Sequence, residues 1–592
     1  MTARRVLRRL CATFLILGLG VPAAFAQTAS QITPATVRPQ ARAALSEVVV
    51  PELSGPDAPK GAERLKVRLA GVVIGGGGFD AADASVAAAR AAFGEALTNQ
   101  TVTVAQIFAA ARALEAAYGQ SGYVLTRVVV PAQSLKHGGT LKIVVIDGFI
   151  ERIETKDVPE PVKSRIEAVL APIVGRTSLR LAEIERALVL AGDAPGTLLK
   201  STLAAGKQPG SSMLVVEARY KPVTGSLSID NTLGPSLGRV NPALALQLNS
   251  AFRLGEQLYV QVAGYPDLSG SHGFFRSNPT NRQLAVGMVL PLGADGWSAN
   301  IEAIRTDTAP NASAGQQFYS QFERFSARLK YAVVRSRSFN LSSELAFDAE
   351  QETLSLVVPV AAPLSLDRLR VLRSTTEISG LTPGGAFMSG RVIASLGIDG
   401  LGARDAAGAT AELPLSRQGA DASFGKLELS GRYSQLLAEH LGLDLFARAQ
   451  TSFGKPLPRA EQIGIVGSNA LSTFDAGTFQ GDSGIVGRAE LSSPWAVDLG
   501  TGAASVSPYA FGAIGSVWLM QPTSVERRQV TAGSFGLGIR FGAAPNPPGS
   551  PQTNDLSGFI AQAALSLEWG HQYRNDGRAA ADRFTISSAL QF

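Results

Sequence analysis

Residues 325–347 read FSARLKYAVVRSRSFNLSSELAF. Phe325, Ala327, Leu329, Tyr331 and Val333 alternate with Ser326, Arg328 and Lys330. After a polar break, Phe339, Leu341, Ser343, Leu345 and Phe347 take up the same period of two. Such alternation on both sides of a short turn predicts two antiparallel strands, each with one apolar and one polar face. A run of nine or more residues exceeds most soluble strands and suits a tilted strand that crosses a bilayer. Working outward, Leu244 to Leu254 and Leu284 to Leu292 alternate in the same way, and helical periodicity all but vanishes after Lys221. At about 23 residues per strand and turn, residues 221–592 hold about sixteen strands, within the range of single-chain outer-membrane barrels. Trp297, Trp495, Trp518 and Trp569 all lie in this region, as an interfacial aromatic girdle requires. Phe584, Ile586, Ser588, Leu590 and Phe592 alternate up to the last residue. A soluble β-sandwich or solenoid is the rival reading of the same period.

The composition agrees with a strand-built membrane protein. No run of 18 apolar residues occurs outside the first 26 positions, which excludes a bundle of transmembrane helices. Hydrophobic residues make up 45% of the 592, too many for a disordered chain. Residues 1–26 read as a secretory signal: Arg4, Arg5, Arg8 and Arg9, then the apolar core Thr13 to Val21, then Ala24-Phe25-Ala26. Without those four arginines the formal charge falls from +6 to +2, so the basic balance is no argument for nucleic acid. The single Cys, Cys11, lies in that signal, which leaves no disulfide framework.

Residues 27–63 form a linker rich in Pro and Ala, read as an extended tether or a short plug helix over Pro39 to Val48. From residue 64 the pattern changes to a strand over Lys66 to Ile74 and a turn over Gly75 to Gly78. The box Thr103-Val104-Ala105-Gln106 then opens a helix striped by Ile107, Ala111, Leu114 and Tyr118 and stopped by Gly119. Strands over Tyr123 to Pro131 and Thr140 to Asp147 follow. The same order recurs between residues 148 and 220, with a strand over Phe149 to Glu154, two helices, and strands over Thr197 to Leu203 and Ser212 to Tyr220.

Three motifs invite a chemical reading that their context refuses. Gly481-Asp482-Ser483-Gly484 matches the surroundings of a serine-protease nucleophile, but no histidine stands in a matching setting. His137, His272, His440 and His571 have no metal-ligand spacing. Gly75 to Gly78 is no dinucleotide loop. No catalytic residue, cofactor or metal is expected.

The repeated β-α-α-β-β order, with Gly122-Tyr123 opening a strand, resembles the POTRA (polypeptide-transport-associated) domain, which gives one module over 64–147 and a second over 148–220. Phe474, Asp475, Gly477, Gly481, Asp482 and Gly484, followed by Arg488 and Glu490, resemble the motif of two-partner-secretion transporters. There a loop bearing V-R-G-[FY] runs into G-D-x-G and a barrel strand. Pro508-Tyr509-Ala510-Phe511 with Gly515 resembles the partner strand P-Y-x-F-x-D-x-G-x-V. Phe584, Ile586, Leu590 and Phe592 resemble the C-terminal signal of outer-membrane barrels. The resemblance implies α+β POTRA domains in the periplasm, an outer-membrane barrel, and secretion of an exported, unfolded partner protein. It also implies contact with outer-membrane lipids and insertion by the barrel assembly machinery. The alternatives are an assembly factor of the same superfamily and a passive porin. The family's loop Arg falls on Ser472, its Gly on Thr473, and the Asp of the partner strand on Ala513. Loss of both partners avoids a lone charge inside a barrel, and implies that other contacts hold the loop.

Overall fold

The computed structural model describes residues 27–39, 47–49, 58–77, 83–268, 270–311, 315–498, 502–545 and 562–592. The expected signal, residues 1–26, lies outside them. The first elements are a four-residue helix, α1 (Ala29–Ile32), and a short strand, β1 (Glu47–Val49). The helix anticipated over Pro39 to Val48 is corrected where residues are described, because 47–49 are strand. Residues 40–46 lie outside the description.

The first module contains β2 (Lys66–Gly76), α2 (Ala84–Leu97), β3 (Thr101–Thr103), α3 (Val104–Gln120), β4 (Arg127–Val129) and β5 (Gly139–Ile146). Its sheet order is β3-β2-β5-β4, with β2 and β5 parallel. The capping box forms as read: Thr103 Oγ1 accepts the Gln106 N–H at 3.1 Å and Gln106 Oε1 accepts the Thr103 N–H at 2.7 Å. Ile107, Ala111, Leu114 and Tyr118 are buried against Leu69, Leu141 and Ile143. Two expectations need correction. Gly75 and Gly76 continue β2 rather than turning, and a Cβ on Gly76 would strike the Val145 carbonyl oxygen. The strand expected from Tyr123 is only Arg127–Val129, because the Tyr123 N–H closes onto Tyr118 O at 2.9 Å and its ring joins the helix core.

The second module contains β6 (Phe149–Asp157), α4 (Glu160–Leu170), α5 (Leu181–Gly192), β7 (Thr197–Ala205) and β8 (Ser211–Tyr220) around a core that includes Val162, Ile166, Ile184, Leu188 and Leu214. Its sheet order is β1-β7-β8-β6. The linker strand β1 therefore extends this sheet from outside the module, parallel to β7 with Glu47 opposite Lys200 and Val49 opposite Thr202.

The barrel begins with β9 (Val223–Asp230), β10 (Asn241–Asn249), β11 (Gln257–Gly264), β12 (Asn281–Leu292), β13 (Trp297–Thr308), β14 (Gln317–Arg335), β15 (Phe339–Val358) and β16 (Ala362–Leu381). It continues with β17 (Phe387–Gly397), β18 (Gly425–Ala438) and β19 (Leu441–Thr451). A loop hairpin, β20 (Ile463–Gly464) and β21 (Gln480–Gly481), precedes β22 (Ser483–Ser492), β23 (Trp495–Asp498), β24 (Gly502–Trp518), β25 (Gln529–Pro545), β26 (Gln562–Arg574) and β27 (Asp582–Gln591). Both β22 and β23 pair with β24, so the wall has sixteen strands, all antiparallel and closed by β27 against β9. Closure satisfies every edge, which a bilayer demands. Residues 325–347 are the end of β14 and the start of β15, with Leu329 opposite Leu345 on the outer face. Phe252 and Leu254, expected in a strand, sit in a turn because the Glu256 carboxylate accepts their N–H groups at 2.6 and 3.0 Å.

The second module docks on the end with the short turns. Arg335 forms a bidentate pair with Asp193 at 2.9 and 2.5 Å, and Arg186 donates to Ala332 O at 2.7 Å and Asp295 O at 2.9 Å. The long loops 398–424 and 452–482 lie at the other end.

Candidate functional site in the barrel lumen

Lumen-facing residues on β13 to β16 alternate with lipid-facing ones and carry most of the charge: Glu302, Arg324, Arg328, Glu344, Glu350 and Glu352. Against them lies the segment Gln27–Pro39. Ser30 donates through its N–H (3.0 Å) and Oγ (2.8 Å) to the two oxygens of Glu352, and the Ala29 N–H donates to Ser320 Oγ at 3.0 Å. Glu302 accepts Thr36 Oγ1 at 2.9 Å and the Val37 N–H at 3.1 Å, while Arg324 reaches Pro34 O at 3.0 Å. Arg38 pairs with Glu344 at 2.7 Å. The segment occupies the lumen, and its sequence signal was overlooked: Thr28-Ala29-Ser30-Gln31 has the spacing of the box at Thr103, and the Thr28 N–H donates to Gln31 Oε1 at 2.8 Å. Nothing in the sequence marks Glu302 and Glu352 as its receptors.

The motif loop between β19 and β22 also folds into the lumen, by different means. Leu471, Phe474 and Phe479 are buried with Ile465, Val486, Val517 and Ala513. Ser472 stands at a buried charge cluster on the wall: its Oγ donates to Glu568 and accepts Arg488 NH1 at 2.7 Å. Arg488 bonds Glu568 at 2.7 Å and Glu490 at 3.2 Å, and its guanidinium lies 3.9 Å from the Phe511 ring centroid. Tyr509 OH donates to Glu568 at 3.0 Å. Ala513 is the register partner of Arg488. The wall beside Ser472 thus keeps acids, Glu568 paired with Arg488 and Glu490 shared between Arg488 and Arg540, although position 513 has none; Glu568 gave no signal in the sequence. Asp475 pairs with Arg583, and Gly477, at φ +77°, turns the loop beside Gln31. Gly515 leaves room for Ile465: a Cβ there would come within 3.0 Å of its Cδ1.

Asp482 is no nucleophile's neighbour. Fully buried, it accepts the Leu457 N–H (3.0 Å), Gln462 Nε2 (3.0 Å) and the Met520 N–H (2.6 Å), and it pairs with Arg417 at 3.4 Å, so three outer loops meet on one carboxylate. Gly481 and Gly484 flank it in tight contact with Val517. Nearby Glu461 is pinned by Arg373 (2.6 Å) and Lys426 (2.8 Å). Burial disfavours its charge, but the two cations outweigh that and hold its carboxyl well below the usual carboxylate range. Phe584 and Ile586 face outward on β27, and Phe592 pairs its N–H and C=O with Gly225 at 3.0 Å each, extending the closing seam. The opposite wall, β24 to β27 with β9, has small inward side chains such as Ser228, Ser507, Ser566 and Ser587, which line an open cavity of about 460 Å³.

A closed sixteen-strand barrel that holds a segment of its own N-terminus and carries two α+β modules at its periplasmic end defines an outer-membrane protein of the POTRA-plus-barrel class. Residues 210–541 match the profile described as haemolysin secretion/activation protein ShlB/FhaC/HecB, and residues 79–148 match the ShlB-type POTRA domain. The chain belongs to this haemolysin secretion/activation family. Outer membrane transporter CdiB of Escherichia coli O6:K15:H31 (strain 536 / UPEC) is 23% identical over 409 residues, 67% of this chain and 64% of that protein. CdiB-2 of Burkholderia pseudomallei (strain 1026b) is 27% identical over 228 residues, 38% of this chain and 37% of that one. The chain thus spans less than two thirds of the curated relatives it matches. The fold matches CdiB from Escherichia coli with a TM-score of 0.67 at 19% identity, covering 91% of this chain and 92% of that one. It matches CdiB from Acinetobacter baumannii with a TM-score of 0.58 at 13% identity, covering 100% and 98%.

Proposed function

We propose that the chain is the pore of a two-partner secretion system, in which periplasmic modules take hold of an exported, unfolded partner protein and the barrel passes it to the cell surface. The observation that carries this reading is the plug. A stretch of polypeptide, one helical turn followed by extended residues, already lies in the lumen, with N–H groups on wall carboxylates and a carbonyl on a wall guanidinium. Groups that satisfy one backbone there serve another once the first has left. The strand β1 on the edge of β7 supports the means of capture, since a partner strand adds to a sheet edge through the same backbone bonds. No covalent step is involved, and folding of the partner outside supplies the direction of transport.

The test is secretion of the protein encoded beside this one. Its appearance in the medium should require this chain, and deletion of the chain should leave other outer-membrane barrels at normal abundance. A general fall in those barrels would point to assembly rather than secretion.

A further inference from the structure

The lipid-facing side of β11 to β16 is not uniformly apolar. Val260, Val286, Ala303, Phe325, Ala349 and Arg370 pair across successive strands in one register row. In the next row toward the cell surface, Leu284 pairs with Arg305, Arg305 with Glu323, Glu323 with Gln351 and Gln351 with Arg368. Together they line a depression of about 670 Å³ with an apolar floor and a cationic rim. On β13, Trp297 stacks on Tyr331 at 4.5 Å near the periplasmic end. Climbing from there to Arg305 at about 3.3 Å per residue and a tilt of about 40° covers roughly 20 Å, close to the top of the apolar band of about 25 Å. The rim therefore lies at the headgroup level of the outer leaflet.

Its charges are unevenly matched. Arg305 pairs with Asp307 at 3.2 Å and Glu323 at 3.3 Å. Arg368 donates to Gln351 Oε1 at 3.2 Å, and Arg370 to the carbonyls of Leu401 (3.0 Å) and Leu369 (2.7 Å). Neither forms an ion pair among the described residues. A guanidinium at the membrane surface without a carboxylate suits a phosphate, which its planar fork binds through two oxygens. A soluble anion would not need the floor, and a second barrel would not need cations that have no carboxylate partner. A lipid with acyl chains and a phosphate uses both.

We propose that this depression binds an anionic phosphoglycolipid of the outer leaflet, with acyl chains on the Val260-to-Phe325 floor and a phosphate on Arg368 and Arg370. The full chain, stripped of lipid in detergent, is titrated with bisphosphorylated lipid A, with the same lipid lacking its phosphates, and with inorganic phosphate, by native mass spectrometry. Bisphosphorylated lipid A should bind at least tenfold tighter than the dephosphorylated form, and millimolar phosphate should not displace it. Arg368→Gln/Arg370→Gln should lose at least tenfold in affinity while keeping its heat-shifted gel mobility. If that variant fails to fold, Arg368→Lys/Arg370→Lys, which keeps the charge, should bind several-fold more weakly than the parent. Val286→Asn should likewise weaken lipid without changing folding. Equal binding by the folded variants, displacement by phosphate alone, or self-association of the parent that blocks lipid would overturn the proposal.

Discussion

Two segments of the chain enter the same lumen, and they are held by opposite kinds of force. The plug, Gln27–Pro39, rests on hydrogen bonds to Glu302, Glu352, Ser320 and Arg324, with Ala29 its one buried apolar side chain. The motif loop buries Leu471, Phe474 and Phe479 in an apolar cluster and closes over the pair Arg488–Glu568. In a wet lumen each plug bond exchanges with a bond to water, at a net value of about 0.5–1.5 kcal/mol for a neutral pair and up to about 3 kcal/mol for one to a charged group. Water replaces nothing in the loop's cluster. Where plug and loop touch, the contacts are polar: Gln31 donates to Gln480 at 2.9 Å and Gln27 to Ala476 O. The contrast predicts a plug that leaves and a loop that stays.

The largest effect that would break this contrast is at Phe474. Phe474→Ala should cost about 3–5 kcal/mol of the loop's packing, exposing residues 452–482 to added protease on intact cells and lowering the temperature at which the barrel's gel mobility shifts. An unchanged cleavage pattern would mean the apolar cluster does not hold the loop. Glu568→Gln comes next, because it leaves buried Arg488 with Glu490, which Arg540 shares, as its one acidic partner. Breaking a buried pair costs about 3–5 kcal/mol, and the remaining acid and lumenal water reduce that to about 2. Ser472→Arg adds a third cation where Arg488 and Arg540 already pair Glu568 and Glu490, so it should also destabilise the loop, by less than Glu568→Gln because the new side chain can turn toward lumenal water. The smallest effect belongs to the plug. Glu352→Gln weakens the two bonds from Ser30 by about 1–1.5 kcal/mol, which raises the plug-free fraction about tenfold, read as ion conductance in planar bilayers. A loss of conductance, or a change in loop proteolysis, would blur the distinction.

How much of this was legible follows from the period of each force. Alternation at 325–347 and at the C-terminus marked the strands, because a lipid-facing side chain must be apolar at every second position. The capping box at Thr103 marked α3 for an equally local reason. The lumen was legible only where a local motif existed. Ser472, Asp482, Arg488 and Phe511 fell inside one, but Glu568, Glu352 and Glu302 are polar residues on polar faces, indistinguishable in sequence from Glu428 or Glu377. Their partners lie hundreds of residues away and are brought near only by closure of the barrel. The short helix of the 27–63 segment was expected over Pro39 to Val48 rather than at Ala29–Ile32, because four residues carry no periodicity and only the box Thr28 to Gln31 announced it.

The most direct test of the contrast is secretion through two disulfide-locked forms. The one cysteine of the sequence, Cys11, falls within the expected signal, so engineered pairs have no competitor there. Ala29→Cys with Ser320→Cys ties the plug to β14, and Ser472→Cys with Thr585→Cys ties the loop to β27, where Thr585 Oγ1 already donates to Ser472 O at 3.1 Å. With both crosslinks verified on non-reducing gels, the plug-locked form should secrete its partner at under a tenth of the parent rate and recover on reduction. The loop-locked form should secrete at the parent rate throughout. Secretion past a fully crosslinked plug, or a block imposed by the loop lock alone, would contradict the division between the segment that leaves and the segment that stays.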